Sequence, residues 1–232
     1  MPGVSNKRQP AGYVAPPGCP GATPRRQPRR DDPGSLAAEP TSPPVPSPPG
    51  AAERPALTAE GPRWRILGEC RGKRFTLARV EAEVDGRRIT RDVLLHPGAV
   101  AVLAVDSGRV LLERQYRVPV GGWIYEIPAG TREPGESPEE TARRELVEET
   151  GYEPLELTEL FRFYPSPGVS TEEIHVFLAE RLRYVGARPE PDEAIETLWV
   201  GLDEALEMVR DGRIRDGKTI AALLYYRLLR GG

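Results

Sequence analysis

Three features that would assign the chain to a common functional class are missing from its sequence. The 35 aspartate and glutamate residues outnumber the 32 lysine and arginine residues, giving a formal net charge of −3. General nucleic-acid-binding proteins carry a basic surplus, so this class is disfavoured. No apolar run approaches the roughly 18 residues of a membrane-spanning helix. The two cysteines, Cys19 and Cys70, have neither metal-binding nor redox spacing. We therefore expect a cytoplasmic protein that binds neither nucleic acid nor membrane.

Proline is concentrated at the N-terminus, where residues 1–62 hold 16 of the 26 prolines. Such a composition disfavours helix and central strand and offers little apolar surface to bury, so residues 1–62 are predicted to be a disordered tail. Three interpretations of the tail stay open. It is a polyproline ligand for an SH3-like partner, an extension without function, or upstream sequence included through a misassigned start codon. The other 170 residues have the length of one buried core.

From Trp64 onward the pattern is typical of strands. Residues 74–95 predict a hairpin around the turn Asp85-Gly86, and Val100–Val105 is a continuous apolar run. Many strands without regular β-α alternation indicate an α+β domain around a mixed sheet. Further strands are predicted at Val110–Tyr116, Ile124–Ile127, Leu155–Phe163, Ile174–Leu182 and Ala194–Val200, and helices at Pro138–Thr150, Leu202–Val209 and Thr219–Leu229.

The helix predicted at Pro138–Thr150 has well-marked ends. Ser137 is a good N-cap residue, proline suits the first helical position, and Glu140 completes a capping box with Ser137. Gly151 follows the last turn and favours helix termination. These signals predict a helix of about three and a half turns.

The acidic residues of this helix are unusually placed. At 100° per residue, Ala142 and Leu146 share one face, with Glu145 and Glu149 beside them and Glu148 on the flank. Like charges one turn apart repel, and carboxylates at the edge of an apolar face are costly to desolvate. A bound divalent cation such as Mg²⁺ would resolve both costs. The alternative, a solvated acidic face, explains Glu145 and Glu149 poorly.

The segment Gly130–Tyr152 resembles the signature of the Nudix hydrolase family at every fixed position. These positions are Gly130, Glu136, Arg144, Glu145, Leu146, Glu148, Glu149, Gly151 and Tyr152. The resemblance implies an α/β/α sandwich with a mixed sheet over residues 98–232, preceded by N-terminal antiparallel strands over 63–97. It also implies hydrolysis of a nucleoside diphosphate linked to another group.

The family's metal site carries over to this sequence residue by residue. Glu145 and Glu149 would be the principal ligands of Mg²⁺, with Mn²⁺ or another divalent ion as alternatives. Glu148 would be a further ligand or a catalytic carboxylate that organises water, and the Ala129 carbonyl would be a backbone ligand. A bound ion would position the diphosphate and lower the pKa of the attacking water.

The sequence on both sides of the signature resembles the ADP-ribose pyrophosphatase branch of the family. Pro167 lies sixteen residues beyond Gly151, which is the placement associated with that branch. The implied reaction is Mg²⁺-dependent hydrolysis of ADP-ribose to AMP and ribose 5-phosphate. By the same resemblance Arg117 would contact the diphosphate. The terminal-ribose pocket would be shaped by Ser166, Gly168 and Glu172.

The resemblance also implies a catalytic base and a partner subunit. A mobile acidic loop in the family supplies the base, and Glu193 aligns best with it. Because the neighbouring acids are shifted, Glu190 or Asp192 could hold that role instead. Relatives in this branch are homodimers that exchange N-terminal strands, which makes Phe75 and Arg91 candidates for the wall around the adenine.

Two other functions stay open at this point. The same chemistry could act on another nucleoside diphosphate sugar or on a dinucleotide. Alternatively, the chain could be a catalytically silent Nudix domain that binds nucleotides, although its intact glutamates disfavour this reading.

Overall fold

A computed structural model of the chain describes residues 64–72, 75–188 and 194–230. The predicted tail over 1–62 lies outside these residues, and so do the three acids weighed as the base, Glu190, Asp192 and Glu193. The described residues belong to two compact units. The first lies within Met1–Gly72 and Leu77–Asp92, and the second within Lys73–Thr76 and Val93–Gly232.

The N-terminal sheet has three strands in the order β1-β2-β3. They span Trp64–Arg71, Thr76–Val84 and Arg87–Leu95. Asp85 and Gly86 join β2 to β3 with φ angles of 51° and 72°. Turns with two positive φ angles match the twist of a hairpin, which is why Asp-Gly is favoured there. The predicted hairpin is confirmed.

The second unit is built on a seven-stranded sheet with the order β10-β5-β4-β9-β8, in which β6 pairs with β5 and β7 with β4. The β4–β9 pair is parallel and the others are antiparallel. The predicted α+β class with a mixed sheet is therefore confirmed. The strands are β4 (Ala99–Asp106), β5 (Arg109–Arg117), β6 (Gly122–Glu126), β7 (Ala129–Thr131), β8 (Tyr152–Phe163), β9 (Ile174–Tyr184) and β10 (Ile195–Gly201).

Helices cover both faces of this sheet. Helix α1 (Pro138–Thr150) buries Ala142 and Leu146 on one face. Helices α2 (Leu202–Arg210) and α3 (Gly217–Leu229) pack on the other. None of the helices in the described residues has the length and apolar character needed to cross a membrane.

The position of strand β4 between two layers of helices explains why its sequence is apolar without alternation. Its odd-numbered residues, such as Leu103, join the core beneath α2 and α3, and its even-numbered residues, such as Val102, join the core beneath α1. A strand covered on both faces must be apolar on both. Strand β7, which precedes α1, and the first residues of β9 both pair with the Ala99 end of β4.

Candidate active site

Helix α1 has the bounds predicted from its capping residues. Ser137 Oγ accepts a hydrogen bond from the Glu140 N–H at 3.3 Å, and the Glu140 carboxylate accepts from the Ser137 N–H at 2.8 Å. Gly151 ends the helix in the left-handed region, with φ of 77°. The helix is thus fixed at both ends by local interactions, which gives its carboxylates defined positions.

Arg144 connects three of the signature glutamates. Its guanidinium pairs with both carboxylate oxygens of Glu136, at 2.8 and 3.0 Å. Its Nη1 lies 2.9 Å from Glu145 Oε1 and 3.0 Å from Glu148 Oε2. Hydrogen bonds from Arg144 are the main cause that lowers the pKa of Glu136 to about 2. Arg144 therefore acts as the counter-ion of this acidic cluster.

Glu149 lies in the last turn of α1, one turn beyond Glu145. It is 5% exposed, and its Oε2 accepts a hydrogen bond from the Ala129 backbone N–H at 3.0 Å. This contact brings together two residues predicted as metal ligands, one from α1 and one from β7. A carboxylate this deeply buried needs such polar partners because desolvation disfavours its charge.

Gly130 allows strand β7 to approach α1 closely. A Cβ atom at this position would lie 1.9 Å from both Cδ and Oε1 of Glu145. No side chain fits there unless Glu145 moves. The fixed glycine of the signature is thus explained by contact with a predicted metal ligand.

Gly130 and Arg144 border a cavity of about 1160 Å³ within the second unit, whereas Glu136 and Glu149 are not among its lining residues. Four backbone or carboxylate positions predicted for the site line it: Ala129, Glu145, Glu148 and Glu172. Arg117, predicted to contact the diphosphate, lines it as well. The cavity is large enough for a nucleotide-sized ligand.

Ser166 and Gly168 lie in an exposed turn close to Glu172 in sequence. The Ser166 carbonyl accepts hydrogen bonds from the N–H groups of Val169 and Ser170, at 3.1 and 3.0 Å. Among the described residues, neither Ser166 nor Gly168 is part of the cavity wall. Of these three residues, only Glu172 lines the cavity. Ser166 and Gly168 are near Glu172 in the sequence only.

Arg117 is accompanied by a lysine that the sequence patterns did not single out. Glu126 pairs with Arg117 Nε at 2.6 Å and with Arg117 Nη2 at 3.1 Å. The same carboxylate contacts Lys218 Nζ, and Lys218 also lines the cavity. Lys218 lies at the start of α3, 92 residues from Glu126, so only the tertiary fold brings these groups together.

Neither of the two described residues suggested for the adenine wall, Phe75 and Arg91, is among the residues that line the cavity. Phe75 is 52% exposed and precedes β2. Arg91 lies on β3, where its guanidinium donates a hydrogen bond to the Thr90 carbonyl at 2.8 Å. Both side chains are exposed.

The chemistry of the site suits a hard divalent cation. Within the described residues, no three acidic, histidine or cysteine side chains converge closely enough to hold a metal ion. Mg²⁺ does not require such a cage, because it is usually held by one or two carboxylates, with waters and substrate phosphates completing its shell. Glu145 and Glu148 supply adjacent carboxylates at the cavity wall, and both form ion pairs with Arg144. The donor set therefore fits Mg²⁺.

Comparisons with known proteins agree with this arrangement. The NUDIX domain model matches residues 94–223. The chain is 46% identical over 147 residues to the ADP-ribose pyrophosphatase of Bacillus subtilis, covering 62% of this chain and 80% of that protein. It is 43% identical over 134 residues to the GDP-mannose pyrophosphatase of Pectobacterium atrosepticum, covering 54% of this chain and 68% of that protein.

Among solved structures, a crystal structure of an ADP compounds hydrolase shares the fold. Its TM-score is 0.63 at 24% sequence identity, and the match covers 73% of this chain and 96% of that chain. The family model spans more than half of the 232 residues, including the whole of the signature helix. The chain belongs to the NUDIX domain family.

Proposed function

We propose that this protein hydrolyses ADP-ribose to AMP and ribose 5-phosphate in the presence of Mg²⁺. The observation that carries the proposal is the cavity that joins the signature carboxylates Glu145 and Glu148 to the cations Arg117 and Lys218. A diphosphate needs both a divalent ion and fixed positive charges around it. The 46% identity to the Bacillus subtilis ADP-ribose pyrophosphatase supports ADP-ribose as the substrate.

The metal-binding residues in this proposal are Glu145, Glu148, Glu149 and the carbonyl of Ala129, with Mn²⁺ or another divalent ion as a substitute for Mg²⁺. A divalent ion held by these residues would neutralise charge on the diphosphate and lower the pKa of the attacking water. Arg144 forms ion pairs with Glu145 and Glu148 and so partly balances their charge. The buried Glu149 keeps its position through the Ala129 N–H.

The remaining residues bind substrate or move a proton. Arg117 contacts the diphosphate, for which a guanidinium is well suited because it donates two parallel hydrogen bonds. Glu148 organises the attacking water, and Glu193 is the general base. The terminal ribose is bound by Ser166, Gly168 and Glu172.

The adenine site in this proposal involves a second subunit. We infer a homodimer formed through the N-terminal strands of residues 63–97, with Phe75 stacking on the base and Arg91 contacting ribose or phosphate. The hydrolase domain covers residues 98–232, and the protein works in the cytoplasm without nucleic acid or membrane partners. Removing residues 1–62 should leave kcat/KM unchanged, and a collapse of activity would assign the tail a role.

A second candidate substrate is GDP-mannose. The 43% identity to the Pectobacterium atrosepticum GDP-mannose pyrophosphatase favours it specifically. The two substrates share the diphosphate and differ in base and terminal sugar, so the residues around the diphosphate do not separate them. A catalytically silent nucleotide-binding domain is the contrasting possibility, and the four carboxylates of the signature disfavour it.

Product analysis tests the proposal directly. Incubation with ADP-ribose and Mg²⁺ should release AMP and ribose 5-phosphate in equal amounts, and chelation of the metal should stop the reaction. Performing the reaction in ¹⁸O-labelled water should place the label on a phosphate group, since water attacks phosphorus. Absence of either product from the metal-loaded enzyme would refute the proposed reaction.

A further inference from the structure

Glu126 is a buried carboxylate shared by two cations from different elements. It ends β6 and is 2% exposed. Arg117, the last residue of β5, donates to it through Nε and Nη2, at 2.6 and 3.1 Å. Lys218, the second residue of α3, contacts Glu126 Oε2. One carboxylate thus links the end of a strand to the start of a helix.

The pairing leaves donors of both cations available to a ligand. Glu126 accepts from Nε and Nη2 of Arg117, and Nη1 donates no hydrogen bond to another described residue. The Arg117 side chain is 34% exposed and lines the cavity. Lys218 is held by Glu126 and by Asp216 Oδ1, at 3.0 Å from the latter, which leaves one of its three donors.

The start of α3 is anchored independently of Lys218. Asp216 caps the helix by accepting from the Thr219 N–H at 2.9 Å. Thr219 Oγ1 in turn accepts from the Ile127 N–H at 2.8 Å. The residue that follows Glu126 in the chain is therefore bonded directly to the helix that carries Lys218. Hydrogen bonds from backbone N–H groups to side-chain oxygens therefore fix the chain on both sides of the Glu126–Lys218 contact.

Stability alone gives a weak reason for this arrangement. Burial raises the pKa of Glu126, but hydrogen bonds and positive charge from Arg117 and Lys218 outweigh that effect, and the pKa lies below its ordinary value. The free energy lost in desolvating a buried ion pair is about as large as the electrostatic attraction gained, so well-packed apolar residues often stabilise a fold equally well. What the shared carboxylate adds is a fixed separation and direction for two cations.

We propose that Glu126 is a positioning residue that holds Arg117 and Lys218 as a two-cation clamp for the substrate's diphosphate. This rests on the proposed function, which places a nucleoside diphosphate in the cavity. Each cation supplies a donor to the diphosphate, and Glu126 preorganises both so that little side-chain freedom is lost on binding. Lys218 thereby becomes a substrate-binding residue in its own right.

Binding of ADP in the presence of Mg²⁺ tests the clamp without relying on turnover. Calorimetry should show that Glu126→Gln and Lys218→Met each raise the Kd of ADP by about tenfold, the usual effect of losing a hydrogen bond to a charged group. The Kd of AMP, which carries one phosphate, should rise less. The matched control is Glu156→Gln, which removes an exposed cross-strand partner of Arg181 and should leave both Kd values unchanged.

A double-mutant cycle separates positioning from a structural role. If Glu126 acts through Lys218, the double variant should weaken ADP binding by clearly less than the product of the two single effects. The clamp would be overturned if the two single effects on the Kd of ADP multiplied in the double variant. An unchanged Kd of ADP in Glu126→Gln, or an equal rise in the Kd values of ADP and AMP, would overturn it as well. If Glu126→Gln melts below the assay temperature, an unchanged Kd of ADP in Lys218→Met would overturn it instead.

Failure of the clamp and failure of the proposed function give different results. A wild-type protein that binds ADP but does not cleave ADP-ribose would refute the function and leave the clamp to be judged from the Kd values. A wild-type protein that cleaves ADP-ribose while Lys218→Met binds ADP normally would refute the clamp alone.

Discussion

Glu149 of α1 accepts a hydrogen bond from the backbone N–H of Ala129, 3.0 Å away in β7. The contact joins the end of helix α1 to β7, the strand that precedes it in the chain. It orients a carboxylate that is almost fully buried, and it fixes the peptide group next to the proposed carbonyl ligand. Substitutions that keep this hydrogen bond and remove the charge can therefore separate chemistry from folding.

Glu149→Gln should retain an acceptor for the Ala129 N–H and lose the negative charge. We expect turnover to fall roughly 100-fold or more, as when groups around a metal are altered. For Glu148→Gln, the loss of an acid–base group predicts a fall of about 100- to 10,000-fold. Steady-state kinetics and thermal melting measure both effects. Glu139→Gln, on the exposed side of the same helix, is the control and should keep wild-type turnover.

Glu136 should make the protein sensitive to acid in a defined range. Its pKa is about 2 in the folded protein against an ordinary value of 4.5, mainly through Arg144. A carboxyl with a depressed folded pKa stabilises the fold above its unfolded pKa and loses that contribution as pH falls. The free energy of unfolding of wild type should therefore exceed that of Glu136→Gln at pH 7, and the gap should close between pH 4.5 and 2. A gap that stays constant over this range would contradict the assigned pKa.

Gly130→Ala should disturb the site because its Cβ would meet the Glu145 carboxylate. Displacing that group should lower turnover strongly, while overpacking should reduce stability by about 1–3 kcal/mol. Gly122→Ala is the control, because its Cβ would meet nothing within 4 Å. Near-normal kinetics in Gly130→Ala would mean that Glu145 can move without consequence.

Thr219→Val should destabilise the protein with little change in shape. The buried hydroxyl bonds both the Ile127 N–H and the Asp216 carboxylate, and leaving such groups unpaired costs about 1–3 kcal/mol. Denaturant unfolding measures the loss. Thr197→Val, on an exposed position of β10, should change the free energy of unfolding far less; equal losses in the two variants would remove the special role of Thr219.

Much of the site was predictable because it is local in sequence. The bounds of α1 follow from Ser137, Glu140 and Gly151, whose interactions span four residues or fewer. The position of Glu149 beside the apolar face follows from helical periodicity. The mixed sheet was predictable from the strand pattern, whereas β7, with three residues, is too short to give a periodic signal.

The contacts that escaped prediction are long-range or lie outside helical spacing. Lys218 and Glu126 are 92 residues apart in the sequence. Helical and strand periodicity relate only residues that are near each other in the chain, so they do not predict this contact. Arg144 contacts Glu148 one turn away on α1, as helical spacing allows. Its bidentate partner Glu136 precedes the helix by two residues, so helical projection could not place it.

The ratio of kcat/KM for ADP-ribose to kcat/KM for GDP-mannose, measured with Mg²⁺, tests the proposed substrate most directly. Discrimination in a nucleotide pocket that recognises polar groups commonly exceeds tenfold, so we expect ADP-ribose to be favoured by at least about tenfold. A ratio at or below one, or no hydrolysis of either compound, would contradict the proposal that this NUDIX protein is an ADP-ribose pyrophosphatase.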